Sequence, residues 1–396
     1  MRNAPHERID EWIDRDCALT KLGVRPQTLY AYVSRNPVQV RADPSDPRRS
    51  LYHVADIAVL AKRKTRSRRV ADVAALAIAW GEPVLESAIT TVAHGRLFYR
   101  GRDAVLLAET ETLESVARLL RGEPDDHIPG DPPVLSASWG ADDNARVRVL
   151  RTLALRAAMD LPLQGRASRA LDTEAAQLLH SVADAIAGAP GTDLIHRRLA
   201  RGWGQDPDGP AADLTRRLLV LTADHELNPS AFAARVTAST GASLAACATA
   251  GLTTLSGPRH GGAFVAVDAF VEEAARLGGP EAISRRLRDD LSLPGFGHKL
   301  YPEGDPRAAA VLHRIPDAQS FLDLAEMVED IAGLRPTIDF ALVAACRSMN
   351  LPTDAPFQIF TAARCAGWIA HAIEQAQGDS VIRPRARYSG PALDAR

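Results

Sequence analysis

From residue 70 onward, apolar positions recur at the three-to-four spacing of amphipathic helices. Ala145–Met159, Asp172–Ala187 and Ala308–His313 carry it most clearly, with few β-branched clusters. Gly188-Ala189-Pro190 and Gly278-Gly279-Pro280 punctuate the pattern as helix ends. Alternation of period two is scarce, and Gly95–Tyr99 is the best short strand candidate. The longest uncharged run, Val236–Pro258, has 23 residues, enough to span a bilayer, but eight of them are Ser or Thr and small residues fill most of the rest. It predicts a buried helix whose small side chains allow close backbone approach. The pattern predicts a helix-rich unit of more than 300 residues without internal repeats.

The first 69 residues read differently. Cys17–Leu22 forms a short helix closed by Gly23, and a second helix opens at Arg25-Pro26, with proline in its first turn, and runs to Asn36-Pro37. In Val38–Tyr52 two extended runs flank a loop rich in Asp, Pro and Arg, as in a wing hairpin, and Val54, Ile57, Leu60 and Ala61 mark a further helix face. The stretch resembles the winged helix-turn-helix domain of MerR-type regulators. The resemblance implies a recognition helix carrying Arg25, Gln27, Thr28, Tyr30 and Tyr32 and a wing carrying Arg48 and Arg49, groups that contact phosphates and base edges. A three-helix module used only for packing or protein contact would show the same pattern.

Composition sharpens this division. The chain has 396 residues, 46% hydrophobic and 24% charged, the balance of a soluble globular protein of two or three domains. Its net charge of −2 is the sum of +7 over residues 1–69 and −9 over the remainder. KRKTRSRR (Lys62–Arg69) is either a solvated linker or a nucleic-acid contact. The cysteines Cys17, Cys247, Cys346 and Cys365 are scattered without a CxxC pair, so neither a disulfide framework nor a zinc cluster is indicated. The charged N-terminus is no signal peptide, and a reducing, cytoplasmic setting without membrane contact is expected. Arginine supplies 43 of the 47 basic residues, so a single arginine carries little information.

Three histidines stand in unusual settings: His225 in TADHELNPS, His260 in SGPRHGGA and His298 in LPGFGHKLYPEGDPR. Glycine and proline beside the last two imply sharp turns or close approach to a ligand. An accessible loop imidazole can titrate or donate near neutral pH. Asp339, in RPTIDFALVAAC, starts a helix, where it serves as a cap, as a catalytic carboxylate, or as both. Arg307, Arg364 and Arg383 could clamp carboxylates with their forked guanidinium groups.

Taken in order, these loops resemble the citrate synthase family. The matching blocks are HGRLFYRGRDAVLLAETETLESVARLLRG (His94–Gly122), LTADHELNPSAFAARVTAST, GPRHGGA, PGFGHKLYPEGDPRA, TIDFALVAACRSMNLPTD, FTAARCAGWIAHAIEQ and IRPRARYSGP, across roughly residues 85–390. The resemblance implies an all-α, two-lobed homodimer. Residues 1–69 would be an accessory domain and linker, 70–261 with 346–396 the large helical domain, and 262–345 the small one. It implies an acyltransferase of the tricarboxylic acid cycle that converts the acyl group to alkyl on transfer, with si or re stereochemistry open. Acetyl-CoA would be co-substrate, with no bound cofactor and no metal. By motif, Asp339 would remove the methyl proton, His260 would stabilise the enol, and His298 would polarise the ketone of oxaloacetate. His225, Arg307 and Arg364 would bind oxaloacetate, and Arg383 would reach the site from the partner subunit. Lys299, the only lysine after residue 64, is a candidate contact to CoA phosphate or a solvated charge.

The chain departs from the family pattern at Phe264 and Val265, where Asn then Glu or Gln is common, at Arg259, and at Thr337-Ile338 before Asp339. These departures bear on substrate preference rather than fold. Three functions follow: condensation of acetyl-CoA with oxaloacetate, the same chemistry with another acyl donor such as propionyl-CoA in 2-methylcitrate synthesis, or a DNA-binding regulator whose helical unit senses a metabolite.

Overall fold

The computed structural model describes residues 12–22, 29, 33, 38–44, 46–47, 49–59, 61, 85–123, 139–140, 143–378, 380–386 and 388–391. Two units separate along the chain, Met1–Glu86 and Ser87–Arg396.

In the first unit β1 (Trp12–Ile13) leads into α1 (Arg15–Leu22), and β2 (Val40–Ala42) pairs with β3 (Ser50–His53) over the stretch read as a wing. The sheet is antiparallel in the order β1-β3-β2, with Tyr52 opposite both Val40 and Ile13. Strand β1 was not expected, because two residues are too few to show alternation. It exists by backbone pairing to the edge of β3. Residues 54–59 are helical, and Ala18, Leu22, Leu29, Tyr52 and Ile57 form a small core. Arg25, Gln27, Thr28, Tyr30, Tyr32 and Arg48 lie outside the described residues.

The second unit opens with an antiparallel meander, β4 (Thr90–Ala93), β5 (Arg96–Tyr99) and β6 (Arg102–Asp103), where a single strand was expected. His94-Gly95 (φ 52° and 70°) and Arg100-Gly101 (φ 45° and 80°) make its tight turns, both central residues being left-handed, as two-residue hairpins favour. Helices follow: α2 (Ala104–Thr110), α3 (Leu113–Arg121), α4 (Ala145–Met159), α5 (Ser168–Ala187), α6 (Ile195–Gly202), α7 (Pro210–Leu221), α8 (Pro229–Ala238) and α9 (Leu244–Leu255). After a 3-10 turn at Gly261–Ala263 come α10 (Phe264–Leu277), α11 (Gly279–Arg288), α12 (Pro306–Leu312), α13 (Gln319–Ala332), α14 (Ile338–Ser348) and α15 (Ala355–Ala376).

The fold is thus helical, as expected, but the uncharged run is not one helix. It holds the end of α8 and all of α9, because Gly241 turns the chain at φ 82° and the Ser243 hydroxyl caps α9 by accepting from Ala246 N–H. Its small residues do permit close approach: a Cβ at Gly251 would lie 2.5 Å from the Trp368 ring of α15. That 22-residue helix is buried almost throughout and packs against α3, α5, α7, α8 and α9, as a helix apolar on all sides must. Helix α14 packs against α10 and α12. Its Phe340 sits in a ring cluster with Phe296 (4.7 Å) and Phe321 (6.4 Å), and burying such a side chain contributes roughly 1.5–3 kcal/mol. Among the described residues no helix is long and apolar enough to cross a membrane.

Candidate active site

Tight local packing brings the histidine loops together. The PGFG loop pairs with the segment before α14: Gly297 N–H donates to Arg335 O (2.9 Å) and Thr337 N–H to Gly295 O (2.8 Å). Gly295 and Gly297 hold φ of 82° and 76°, which lets the chain reverse around buried Phe296 and set His298 beside the start of α14. At the other loop Asn228 caps α8 by accepting from Ser230 and Ala231 N–H, with Pro229 as the first helical residue. Ser230 Oγ then lies 2.9 Å from His260 Nε2. Glu226, at φ 51°, accepts from Val92 N–H (2.7 Å) and ties the His225 loop to β4.

Asp305 locks two site elements together. Its carboxylate takes the fork of Arg307 (Nε 2.9 Å, Nη2 2.8 Å) and also accepts Ile338 N–H (3.0 Å) at the start of α14. That bond uses a backbone donor that has no intrahelical partner. The N-cap residue of α14 is Thr337, so Asp339 is not the cap that one sequence reading allowed; its carboxylate is left for other work.

Two clusters result. In one, His225 Nε2 lies 2.9 Å from Tyr301 Oη, the His225 and His298 rings are 5.4 Å apart edge to face, and the Arg307 guanidinium lies 5.2 Å from the Tyr301 ring centre. In the other, Phe360 carries the Arg364 guanidinium 4.8 Å from its centre and meets the His260 ring at 6.3 Å. Arg364 joins the two, since its charge acts on His225, His260 and Asp339.

Burial and these cations set the protonation states. Desolvation, then Arg364, lowers the His260 pKa to about 4. Desolvation, then Arg307, lowers that of His298, and the same pair with Arg364 and His298 drives that of His225 well down. All three imidazoles are therefore neutral hydrogen-bonding groups at neutral pH. His298 Nδ1 accepts from Leu300 N–H (3.2 Å), which leaves the proton on Nε2. The single Ser230 hydroxyl proton can go to Asn228 Oδ1 (2.6 Å) or to His260 Nε2; donation to the imidazole puts its proton on Nδ1. Asp339 keeps some contact with solvent, but enclosure by protein raises its pKa to about 6, against the opposing pull of Arg307 and Arg364. Arg364 is 3% exposed, and its Nε and Nη1 have no partner. An unpaired buried guanidinium is costly, and a carboxylate ligand would offset it.

Six of the expected site residues therefore come together: His225, His260, His298, Arg307, Asp339 and Arg364. Arg383 does not join them; it is exposed in the segment after α15 and makes no hydrogen bond or ion pair with another described residue. Lys299 is exposed next to His298. In the N-terminal unit Arg49 is exposed and pairs with Asp46 at 3.4 Å. Among the described residues no group of three or more His, Cys, Asp or Glu is placed to hold a metal ion. Sequence reasoning missed Ser230, Tyr301, Asp305 and Phe360. All four stand inside the quoted blocks, and Phe360 stands one helical turn before Arg364. It also missed the fully buried Asp224–His371 pair (3.2 Å) beneath the His225 loop.

The chain is similar to known proteins in sequence and in fold. The model of the citrate synthase C-terminal domain matches residues 146–385, more than half of the chain. Citrate synthase 2 of Bacillus subtilis is 34% identical over 199 residues, 48% of this chain and 54% of that protein. 2-Methylcitrate synthase 2 of Corynebacterium glutamicum is 31% identical over 229 residues, 52% and 58% of the two chains. The chain thus spans about half the length of the curated relatives it matches. The fold is shared with the Thermoplasma acidophilum citrate synthase solved as a ternary complex with carboxymethyl coenzyme A and oxaloacetate: TM-score 0.64, 23% identity, covering 79% of this chain and 95% of that one.

Proposed function

Since the chain belongs to the citrate synthase family, we propose that it is an acyltransferase that condenses acetyl-CoA with oxaloacetate and water to citrate and free CoA. The observation that carries this reading is Arg364, buried with two unpartnered N–H groups beside a carboxyl of raised pKa and two neutral histidines.

Each residue type answers a requirement of the chemistry. A thioester methyl proton is far less acidic than a carboxylic acid, so Asp339 needs help to remove it. His260 donates to the thioester oxygen and stabilises the enol, and one such donor is worth roughly 10²–10³ in rate. A neutral imidazole suits an enol better than a cation would. The enol carbon then attacks the ketone of oxaloacetate while His298 Nε2–H donates to its oxygen. Water hydrolyses the resulting thioester, breaking the C–S bond and releasing CoA. Arg307, already half-satisfied by Asp305, and Arg364 hold the carboxylates, with His225 beside them. Arg383, exposed on the segment after α15, completes the partner's site in a homodimer, and residues 262–345 form the lobe that closes over the substrates. Closure excludes water until the carbon–carbon bond has formed.

The likeness to a 2-methylcitrate synthase supports a second acyl donor, propionyl-CoA, at the same site. The β2–β3 hairpin and the basic balance of residues 1–69 support a DNA-binding role for the N-terminal unit alongside catalysis. The test is free thiol release from a panel of acyl-CoAs. Release that requires both oxaloacetate and acetyl-CoA is expected; no turnover with any acyl-CoA, by folded protein, would sink the enzyme reading.

A further inference from the structure

Phe264 departs from the family pattern, and the fold places it in contact with the site without making it part of the machinery. It is the first residue of α10, four positions after His260, and is 5% exposed. Its ring meets Phe360 edge to face, with centroids 5.3 Å apart and an interplanar angle of 81°. Phe360 is also the ring against which the site is built: His260 approaches it at 6.3 Å and 88°, and the Arg364 guanidinium lies 4.8 Å from its centre. Edge-to-face ring pairs and a desolvated cation over a ring are both attractive contacts, so each neighbour helps fix the Phe360 ring. Phe360 has no polar atom to anchor it, so its orientation depends on what packs around it.

The backbone near His260 has no slack to absorb a shift of that ring. A Cβ added at Gly261 would lie 2.8 Å from Leu255, and one at Gly262 would lie 2.8 Å from the Gly257 carbonyl. A loosened Phe360 therefore alters the relation between the imidazole and the guanidinium rather than carrying both along.

We propose that Phe264 is a positioning residue: by buttressing Phe360 it holds the His260 imidazole and the Arg364 guanidinium in register, and with them the acyl thioester and the dicarboxylate. The inference rests on the condensing activity proposed above. Neighbouring Val265 is 76% exposed and supplies a control on the same helix turn. Leu199, fully buried on α6, supplies a control for a core cavity on a helix that carries no site residue.

The experiment is steady-state kinetics of CoA release by the full chain and its Phe264→Ala, Phe264→Leu, Val265→Ala and Leu199→Ala variants, with thermal unfolding of each. Phe264→Ala is expected to raise the KM for oxaloacetate and lower kcat, each by about tenfold, as small misplacements of reacting groups do. Phe264→Leu, which keeps apolar volume, is expected to recover both to within about threefold. Val265→Ala and Leu199→Ala are expected to leave both constants within about twofold, although Leu199→Ala lowers Tm. If Phe264→Ala does not fold, Phe264→Val replaces it, with the same direction of change expected. Wild-type constants in the small-residue variant, or an equal KM change in Leu199→Ala, overturn the proposal alone. No CoA release by the wild-type chain overturns it together with the condensation reading.

Discussion

Replacing Asp339 by Asn should destroy activity and stabilise the fold, by an amount that depends on pH. Burial raises the Asp339 pKa from 3.8 to about 6, a net effect that already includes the opposing attraction of Arg307 and Arg364. The folded chain thus holds the proton more tightly than the unfolded chain. As pH rises from 3.8 to 6 the unfolded state loses this proton first, so stability falls through that window and is constant above it. The full difference corresponds to about 3 kcal/mol. Asparagine has no charge to desolvate, so the variant should be more stable by about 3 kcal/mol at pH 8 and by less than about 1 kcal/mol at pH 4. Denaturant unfolding of both proteins at the two pH values measures this, with CoA release recorded in parallel. A variant no more stable at pH 8, or one with the same gain at both pH values, would refute the assignment of Asp339 as a carboxylate destabilised by its enclosure. Retained turnover would refute its role as the base.

Other outcomes follow from the same geometry. In the wild-type chain, kcat/KM should fall about tenfold per pH unit below about 6, the limb that reports the base of the free enzyme. Oxaloacetate bound to Arg307 and Arg364 screens the cations that hold Asp339 ionised, so the acid limb of kcat should lie at higher pH than that of kcat/KM; coincident limbs would count against the coupling. Arg364→Gln removes a charged donor from a buried carboxylate site and should raise the KM for oxaloacetate roughly 10–100-fold while leaving Tm unchanged or higher. Gly367→Ala would put a Cβ 2.5 Å from Asp224 Oδ1 and 2.6 Å from the Ala223 carbonyl, and calorimetry should show a loss of about 1–3 kcal/mol or more. A chain lacking residues 1–69 should keep its turnover and lose salt-sensitive affinity for duplex DNA; no such affinity in the full chain would dispose of the DNA-binding reading.

What could be read in advance depended on how each residue acts. His260, His298 and Asp339 stood out because glycine, proline and a helix start crowd around them, and crowding of that kind restricts the backbone in a way a sequence displays. The small strands β4 and β6 left no such trace, since four and two residues cannot establish alternation against a helical background. Ser230, Tyr301 and Asp305 act on partners far away in the chain: Asp305 matters because Ile338 N–H reaches it across 33 positions, a relation that no local pattern contains. Phe360 reads as one more core aromatic on an apolar helix until the fold sets Arg364, His260 and Phe264 around it.

The arginines show the limit most clearly. With 43 of them, residue type alone could not single one out. Arg198, Arg235 and Arg307 are as buried as Arg364, yet each holds a carboxylate, of Asp184, Glu374 and Asp305 in turn. Arg364 has Phe360 beneath it and two guanidinium nitrogens, Nε and Nη1, without a hydrogen-bond partner. Folding has therefore taken a cation out of water with no carboxylate bonded to it; Asp224 and Asp339 act on it only through space, and a carboxylate ligand would offset much of a desolvation cost of several kcal/mol. The other arginines stabilise the chain through their partners; Arg364 is instead poised for an anion from outside. That distinction lies in what is missing around a side chain, so it becomes visible only when the three-dimensional surroundings are known.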